Sequence, residues 1–353
     1  MGQFDFPIVF HPQCLATAIG SLPHTDPAAA CDVVLNSIPE IPFWPQLPHA
    51  DFREGMEIQY CEGLPGVIFD RATQRMYFDT SKDMTSELEK FYENYMTENL
   101  EHFRISPDFS RGLYAMEKKL SAQKPAGLKL FKNQVTGPIT LGLGRVDENK
   151  RAVYYNEVLR DVIVKGIEMK ARWLLNKFKF LGCPQICFID EPILSAFGSS
   201  TYISVQRPDV VQCLHEVIEA VHKEDGWAGI HCCGNTEWTI LIDAGVDIIS
   251  FDAFEFGETI AYYADKVGEY LKRGGILAWG IVPTSAKIEQ ETAESLVLKL
   301  NIVVNNLSSK GVDKNLIWEQ CLITPSCGTG SLPVELSEKV FGELCEVSRR
   351  LRR

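Results

Sequence analysis

Short apolar runs alternate with longer amphipathic stretches along most of the chain, and this alternation constrains the fold more than any other feature. The apolar runs are rich in Ile, Val, Leu and Phe and mostly lack a polar–apolar alternation. Strands that are buried on both faces of a parallel sheet have this pattern. We predict eight strands, over residues 15–22, 43–47, 128–135, 185–190, 228–233, 247–251, 276–281 and 316–324.

Stretches with apolar residues at helical spacing separate most of these strands. We predict helices over residues 151–180, 209–223, 258–272, 291–308 and 336–351. A series of eight strand–helix units in a chain of 353 residues favours an α/β fold of the closed (β/α)8 type, the TIM barrel. A doubly wound open sheet is the alternative.

The segment of residues 48–126 is too long to be a simple loop, so we predict an insertion after the second strand and a candidate lid. Within it we expect a hairpin in residues 56–70 and helical runs over residues 84–103 and 110–120. The chain contains no internal repeat, low-complexity segment or linker, and we therefore expect a single catalytic domain over residues 1–353.

The charge and the cysteine usage limit the partners and the compartment. A formal net charge of −12 argues against a nucleic-acid partner, which needs a basic surface. No apolar run is long enough for a membrane helix and no signal peptide precedes the first strand, so we expect a cytoplasmic protein without a membrane partner. The eleven cysteines form no disulfide framework, which indicates core residues, metal ligands or catalytic thiols.

Metal-binding side chains follow two of the predicted strands. Residues two apart in an extended segment point the same way, so His231 and Cys233 share a face while Cys232 points into the packing. In a barrel the active site lies at the carboxyl ends of the strands, where Cys327 after the last strand reaches the same mouth. One nitrogen and two sulfur donors suit Zn²⁺ and leave a fourth position open.

Two carboxylates end the fourth predicted strand. Asp190 and Glu191 follow a strongly apolar run, where a buried carboxylate needs a cation, a metal or amide donors. We expect Asp190 to bind a substrate ammonium group and Glu191 to have a structural role; capping of a helix or pairing with an arginine is the alternative for either. His24 and His49 also follow strand ends and are candidates for the lining of the pocket.

Five motifs occur in a fixed order along the chain: Ile-Gly-Ser (residues 19–21), Thr-Gly-Pro-Ile-Thr (136–140), Ile-Asp-Glu-Pro (189–192), His-x-Cys (231–233) and Pro-Ser-Cys-Gly (325–328). The ordered set resembles the C-terminal catalytic barrel of cobalamin-independent methionine synthase. It is also similar to the zinc methyltransferases that move methyl groups from corrinoid proteins to coenzyme M, especially over residues 231–236. The wider superfamily includes uroporphyrinogen decarboxylase, which lacks the zinc ligands.

The resemblance implies a role for each matching residue. His231, Cys233 and Cys327 match the zinc ligands, and Asp252 matches the acidic fourth ligand, with Glu255 as the alternative. The segment Ile19, Gly20 and Ser21 matches the part that holds the carboxylate of the amino-acid substrate, and Asp190 matches the acid that binds its ammonium group. The implied reaction is methyl transfer to a zinc-activated thiol, with homocysteine as acceptor.

Three departures from the family pattern affect the substrates. We expect the chain to start directly at the catalytic barrel, and the stretch 278–283 has no match for the catalytic histidine of the methionine synthases. Glu54, Glu57 and Glu62 are only loose candidates for the glutamate that follows strand two in those enzymes. The first two departures favour a methyl-corrinoid protein as donor, with a methyl-folate as the alternative. A coenzyme M-type methyltransferase, a zinc-free decarboxylase-like enzyme and a noncatalytic corrinoid-binding protein are the alternatives.

Overall fold

The computed structural model describes residues 10–352, and seven of its strands form one curled, all-parallel sheet. The strands are β1 (Leu15–Ala16), β2 (Val67–Asp70), β3 (Arg75–Phe78), β4 (Phe131–Thr136), β5 (Gln185–Asp190), β6 (Trp227–Cys232), β7 (Ile248–Phe251), β8 (Ile276–Val282) and β9 (Cys321–Pro325). The order in the sheet is β1-β9-β8-β7-β6-β5-β4, while β2 and β3 form a separate antiparallel hairpin.

Helices follow most of the strands of the sheet, as expected of parallel crossover connections. They are α1 (Pro27–Ser37), α2 (Thr85–Met96), α3 (Arg111–Ala122), α4 (Pro138–Gly144), α5 (Glu157–Lys177), α6 (Arg207–His222), α7 (Thr239–Ala244), α8 (Ala253–Phe256), α9 (Ala264–Lys272), α10 (Ala293–Ser309), α11 (Lys314–Glu319) and α12 (Val334–Leu351). Within residues 10–352, no helix combines the length and the apolar character that crossing a membrane requires.

The mixed α/β class and the parallel sheet are confirmed, as a TIM-like fold with seven strands. The predicted strand at residues 43–47 is not a regular strand. It makes isolated parallel bridges, Ser21 with Gln46 on one side and Phe43 with Lys132 on the other. The prolines at positions 42 and 45 have no N–H to donate and so interrupt a continuous ladder. Closure into an eight-stranded barrel remains a prediction.

β4 begins at residue 131 rather than 128, α5 at 157 rather than 151 and α9 at 264 rather than 258, and the first strand, the last strand and the hairpin also differ from the prediction. The first strand covers only Leu15–Ala16, because the chain then changes partners and Leu22 donates to the Gln46 carbonyl (2.9 Å). The last strand begins at residue 321, since residues 314–319 form α11, which the Asp313 side chain caps. The hairpin lies at residues 67–78 rather than 56–70, because Asp70 accepts hydrogen bonds from the turn that follows it.

Two apolar cores lie on the two sides of the curled sheet. The larger core packs the helices against the sheet, and a smaller one fills its concave side. A β-carbon on Gly229 would lie 2.4 Å from the Phe188 ring, so the glycine leaves room for that ring in the smaller core. The residues of the smaller core are Leu15, Ile19, Ile41, Leu130, Ile186, Phe188, Trp227, Ile248, Ile276, Ala278 and Leu322.

The first turns of the predicted insertion pack directly against the sheet. Tyr60 donates a hydrogen bond to the Gln134 carbonyl on β4 (2.7 Å). Gln46 donates to the Gln59 side chain (2.9 Å), which in turn donates to the Phe109 carbonyl (2.6 Å). These buried contacts fix the position of residues 52–61 at the carboxyl end of the sheet.

Candidate metal centre

Three potential metal ligands meet at the carboxyl ends of β6 and β9. One ligand atom from each of His231, Cys233 and Cys327 lies within 4.8 Å of the other two. His231 is buried and the two cysteines are half-buried, whereas Cys232 is fully buried within the larger core. Because Zn–S and Zn–N bonds are about 2.0–2.3 Å long, side chains this close need only small rotations to share one ion. The cluster can hold a metal ion, and its donors are compatible with zinc.

A hydrogen bond from the neighbouring strand orients the histidine ring. His231 pairs in register with Ser250 on β7, and its Nδ1 lies 3.0 Å from the Ser250 Oγ. The Nε2 atom is buried and has no hydrogen-bond partner among residues 10–352. Such an arrangement leaves Nε2 available to a metal ion. Sequence reasoning missed Ser250, whose only signal is a lone hydroxyl inside an apolar strand.

Removing this hydrogen bond should weaken metal binding without removing a ligand. For Ser250→Ala we expect the zinc dissociation constant to rise about 10–100-fold, the usual effect of losing a partner of a metal-binding histidine. Competition with a chromophoric chelator measures this constant. An unchanged constant in a folded Ser250→Ala protein would contradict the orienting role of Ser250.

The two thiols affect each other's ionisation. The contacts with Cys327 and His231 lower the pKa of Cys233 to about 4. The contact with Cys233, together with burial, raises the pKa of Cys327 well above its usual range. These surroundings favour the thiolate form of Cys233, which is the form that binds metals.

The cluster lies in a cavity of about 430 Å³ that is enclosed by strand ends and by the insertion. Of residues 10–352, the lining includes carboxylates, two histidines and small polar groups, but no lysine or arginine. The lining residues are Ile19, Ser21, Gln46, Pro48, His49, Glu54, Met56, Asp190, Pro192, His231, Cys233, Cys327, Gly328, Gly330 and Ser331.

Two buried carboxylates face this cavity. Asp190 is 3% exposed, its Oδ1 has no hydrogen-bond partner among the described residues, and burial raises its pKa to about 6. Glu54 is fully buried and forms an ion pair with Arg111, whose Nε lies 3.6 Å from Oε1, and burial raises its pKa to about 7. An unsatisfied buried acceptor at a cavity, such as Asp190 Oδ1, is suited to a cationic ligand.

Glu191 has a different environment from its neighbour Asp190. It accepts hydrogen bonds from the backbone of Ile139 (2.9 Å) and from the backbone and hydroxyl of Thr140 (2.7 and 2.6 Å), at the start of α4. A β-carbon on Gly137 would lie 2.1 Å from the Glu191 carboxyl group. The Thr-Gly-Pro and Asp-Glu-Pro motifs thus fit together, with Glu191 satisfying the first amides of α4.

The segment Ile19–Ser21 packs against the loop that carries Cys327. The Ser21 hydroxyl accepts a hydrogen bond from the Gly330 N–H (3.2 Å). A β-carbon on Gly328 would lie 2.2 Å from the same oxygen, so the two segments approach closely. Ile19 and Ser21 line the cavity beside the cluster; their contact with a substrate carboxylate stays a prediction.

Asp252 lies near the cluster but has another partner. Its side chain caps α8 by accepting a hydrogen bond from the Glu255 N–H (2.8 Å), and burial raises its pKa to about 6. Glu255 pairs with Lys287 (2.5 Å). Neither acid belongs to the three-residue cluster, and a role for Asp252 as fourth ligand stays a prediction.

The remaining candidate residues, three glutamates and two histidines, differ in whether they line the cavity. Of the three glutamates, only Glu54 lines the cavity, since Glu57 pairs with Arg145 (2.6 Å) and Glu62 accepts a hydrogen bond from the Ser106 N–H (2.7 Å). Of the two histidines, His49 lines the cavity. His24 lies outside the lining, with Nε2 3.4 Å from Glu338.

Comparison with known proteins identifies the fold. No protein-family model matches the sequence, and no curated protein is detectably similar to it. Among solved structures, the chain resembles a Listeria monocytogenes protein provisionally named a vitamin-B12 independent methionine synthase. The TM-score is 0.55 at 13% sequence identity, and the match covers 96% of each chain. The two chains share a fold. At this identity the likeness shows a shared fold and no particular activity.

Proposed function

We propose that the protein is a zinc-dependent methyltransferase that transfers a methyl group to a thiol, with homocysteine as the acceptor and methionine as the product. The observation that carries this proposal is the meeting of His231, Cys233 and Cys327 in the same cavity as Asp190 and Glu54. Three metal donors with an open position are typical of catalytic rather than structural zinc sites.

In this proposal some residues bind the metal ion and others bind the substrate. His231 Nε2 and the sulfurs of Cys233 and Cys327 would hold the ion, with Ser250 keeping the imidazole in position. When bound, zinc lowers the pKa of a coordinated thiol so that it is a thiolate nucleophile at neutral pH. The side chains around the cavity then hold the acceptor with its sulfur at the open position.

The charges of the cavity favour an acceptor with an ammonium group. Asp190 offers an oxygen without a partner, and no lysine or arginine is among the described residues that line the cavity. A coenzyme M-type acceptor carries an anionic sulfonate, which the buried carboxylate of Asp190 would repel. A decarboxylase of the uroporphyrinogen type needs cationic side chains for its substrate carboxylates, and the same lining disfavours it. The carboxylate of homocysteine would be taken by Ile19, Gly20 and Ser21.

We also propose a closed barrel, a single domain and a lid as the architecture of this enzyme. The bridged segment 42–46, which lies between β1 and β4, would complete an eight-stranded barrel. Residues 1–353 would form one catalytic domain in the cytoplasm, with residues 48–126 as a lid that excludes water from the cavity.

Metal analysis combined with zinc-edge X-ray absorption tests the proposal. We expect about one zinc per chain in protein purified without chelators, with a nitrogen and sulfur environment. Addition of L-homocysteine should add one sulfur neighbour. Zinc that does not respond to homocysteine would contradict the acceptor, and the absence of zinc would contradict the enzyme class.

We propose a methyl-corrinoid protein as the donor, because the stretch 278–283 at the end of β8 lacks a histidine. Methyl transfer to homocysteine should therefore be faster from methylcobalamin, a free corrinoid probe, than from methyltetrahydrofolate. Methionine formation under equal donor concentrations measures the ranking. Faster transfer from the folate would overturn this choice of donor and leave the acceptor proposal standing.

A further inference from the structure

One lysine is fully buried inside the concave face of the sheet. Lys132 on β4 has no exposed surface, and its Nζ lies 4.8 Å from the centre of the Phe188 ring and 5.5 Å from that of Phe43. It is the single lysine or arginine in the seven parallel strands that the structure describes. The neighbouring inward-facing residues, Ile186 and Phe188, are apolar.

The Lys132 ammonium group is held by uncharged acceptors. It donates hydrogen bonds to the Ile19 carbonyl and to the Gln134 Oε1 (3.0 Å). Across residues 10–352, no carboxylate oxygen lies within 4 Å of it to form an ion pair. Burial lowers the pKa of Lys132 to about 8, and the carboxylate of Asp190 opposes this shift. The group is therefore mainly charged at neutral pH.

A role in packing alone does not account for this residue. Burying a charged group in an apolar interior lowers the stability of the protein, whereas burying a methionine of similar length would not. The hydrogen bonds to two neutral acceptors offset only part of this cost. The same site could be filled by an apolar side chain between Phe43 and Phe188. The ammonium group contacts the carbonyl of Ile19, a residue that lines the cavity. Holding this carbonyl is a function that an apolar side chain could not perform.

We propose that Lys132 is a positioning residue of the acceptor site: by holding the Ile19 carbonyl, it fixes the segment Ile19–Ser21 in the orientation that receives the acceptor's carboxylate. This inference rests on the proposed function, because it assigns that segment to the amino-acid head group.

The geometry of the peptide group explains how the buried Lys132 can orient a group that faces the acceptor. The Ile19 carbonyl and the Gly20 N–H belong to one planar unit and point in opposite directions, so fixing one fixes the other. A β-carbon on Gly20 would lie 2.7 Å from the Gln46 side chain, and the segment therefore has little room to settle differently. Gln134, the second acceptor of Lys132, is itself held by donation to the Trp44 carbonyl (2.9 Å).

The test compares two thiols on zinc-loaded protein by isothermal titration calorimetry. L-Homocysteine carries the amino-acid head group, and 2-mercaptoethanol offers a thiol without it. For Lys132→Met we expect the dissociation constant of L-homocysteine to rise about tenfold or more, as for a lost hydrogen bond to a charged group. The constant for 2-mercaptoethanol and the zinc content should stay at the wild-type values.

Lys170→Met is the matched control. Lys170 is also fully buried, has a pKa lowered to about 8 and donates to two carbonyls, those of Glu62 (2.8 Å) and Phe103 (3.3 Å), but it lies on α5 outside the sheet. We expect Lys170→Met to leave the dissociation constants of both thiols unchanged. Equal weakening of both thiols in Lys132→Met would indicate a merely structural role and overturn the proposal.

An unchanged dissociation constant of L-homocysteine in Lys132→Met would also overturn the proposal that Lys132 positions the acceptor site. Should that variant fail to fold, Lys132→Leu, which also has no hydrogen-bond donor, replaces it with the same expected result and the same contradicting outcome. Failure of the proposed function is distinguishable, because it would be seen in the wild-type protein as absent zinc or as absent binding of either thiol.

Discussion

Replacing Cys327 by serine should remove nearly all bound zinc while the protein stays folded. Cys327 provides one of the three donors, and a serine hydroxyl is a much weaker ligand than a thiolate for zinc. Losing a partner of a ligand already costs about 10–100-fold in metal affinity, so losing the ligand itself should cost about 100-fold or more. The side chain is half-buried in a loop and serine is of similar size, so the melting temperature of the metal-free protein should change little.

Elemental analysis after dialysis measures the zinc content of the Cys327→Ser protein, and circular dichroism monitors its fold. Cys232→Ser is the matched control, because Cys232 lies between two predicted ligands in sequence but packs into the larger core. This control should retain about one zinc per chain. Full zinc occupancy in Cys327→Ser would exclude Cys327 from the ligand set.

Asp190→Asn should weaken the binding of homocysteine strongly and spare the metal. The amide has nearly the same shape as the carboxylate but lacks the charge that would pair with an ammonium group. Truncating one partner of a buried charge pair costs about 2–5 kcal/mol, so we expect the dissociation constant to rise about 30-fold or more. Titration calorimetry of zinc-loaded protein with L-homocysteine measures it, and 2-mercaptoethanol should bind as before.

Glu191→Gln provides the comparison for Asp190→Asn, because the two acids are adjacent and equally buried. Glu191 accepts three hydrogen bonds at the start of α4, so its replacement should lower the melting temperature. The affinity for homocysteine should not change. An unaltered homocysteine constant in Asp190→Asn would remove Asp190 from the head-group site.

The strands were predictable where they are long and buried on both faces. Strand β5 agrees in both limits and β6, β7 and β8 agree to within one residue, because continuous apolar runs of this length have few alternatives. Residues 15–22 and 43–47 were harder to predict. There the chain changes pairing partners, and prolines remove ladder hydrogen bonds that an apolar pattern does not reveal.

The candidate metal site was predictable only where its residues lie close together in the sequence. His231 and Cys233 share a face because they are two apart on one strand, and sequence spacing alone states this. Glu54 was only a loose candidate, since its position depends on how residues 52–61 pack against β4. Ser250 was missed because it is a single hydroxyl residue in an apolar run, and its contact with His231 depends on the register of two strands. Lys132 was missed because it lies in a polar stretch, residues 132–134, that does not reveal its burial or its contact with the distant Ile19.

The position of β9 between β8 and β1 has a consequence for the order of assembly. We expect Cys327 to join His231 and Cys233 late in folding, after the units of β7 and β8 have formed and β9 has paired beside the first strand. Contacts between segments so far apart in the chain require loop closure first. Metal loading would then report the completion of folding, and the free energy of metal binding would add to the stability of the last strand to dock.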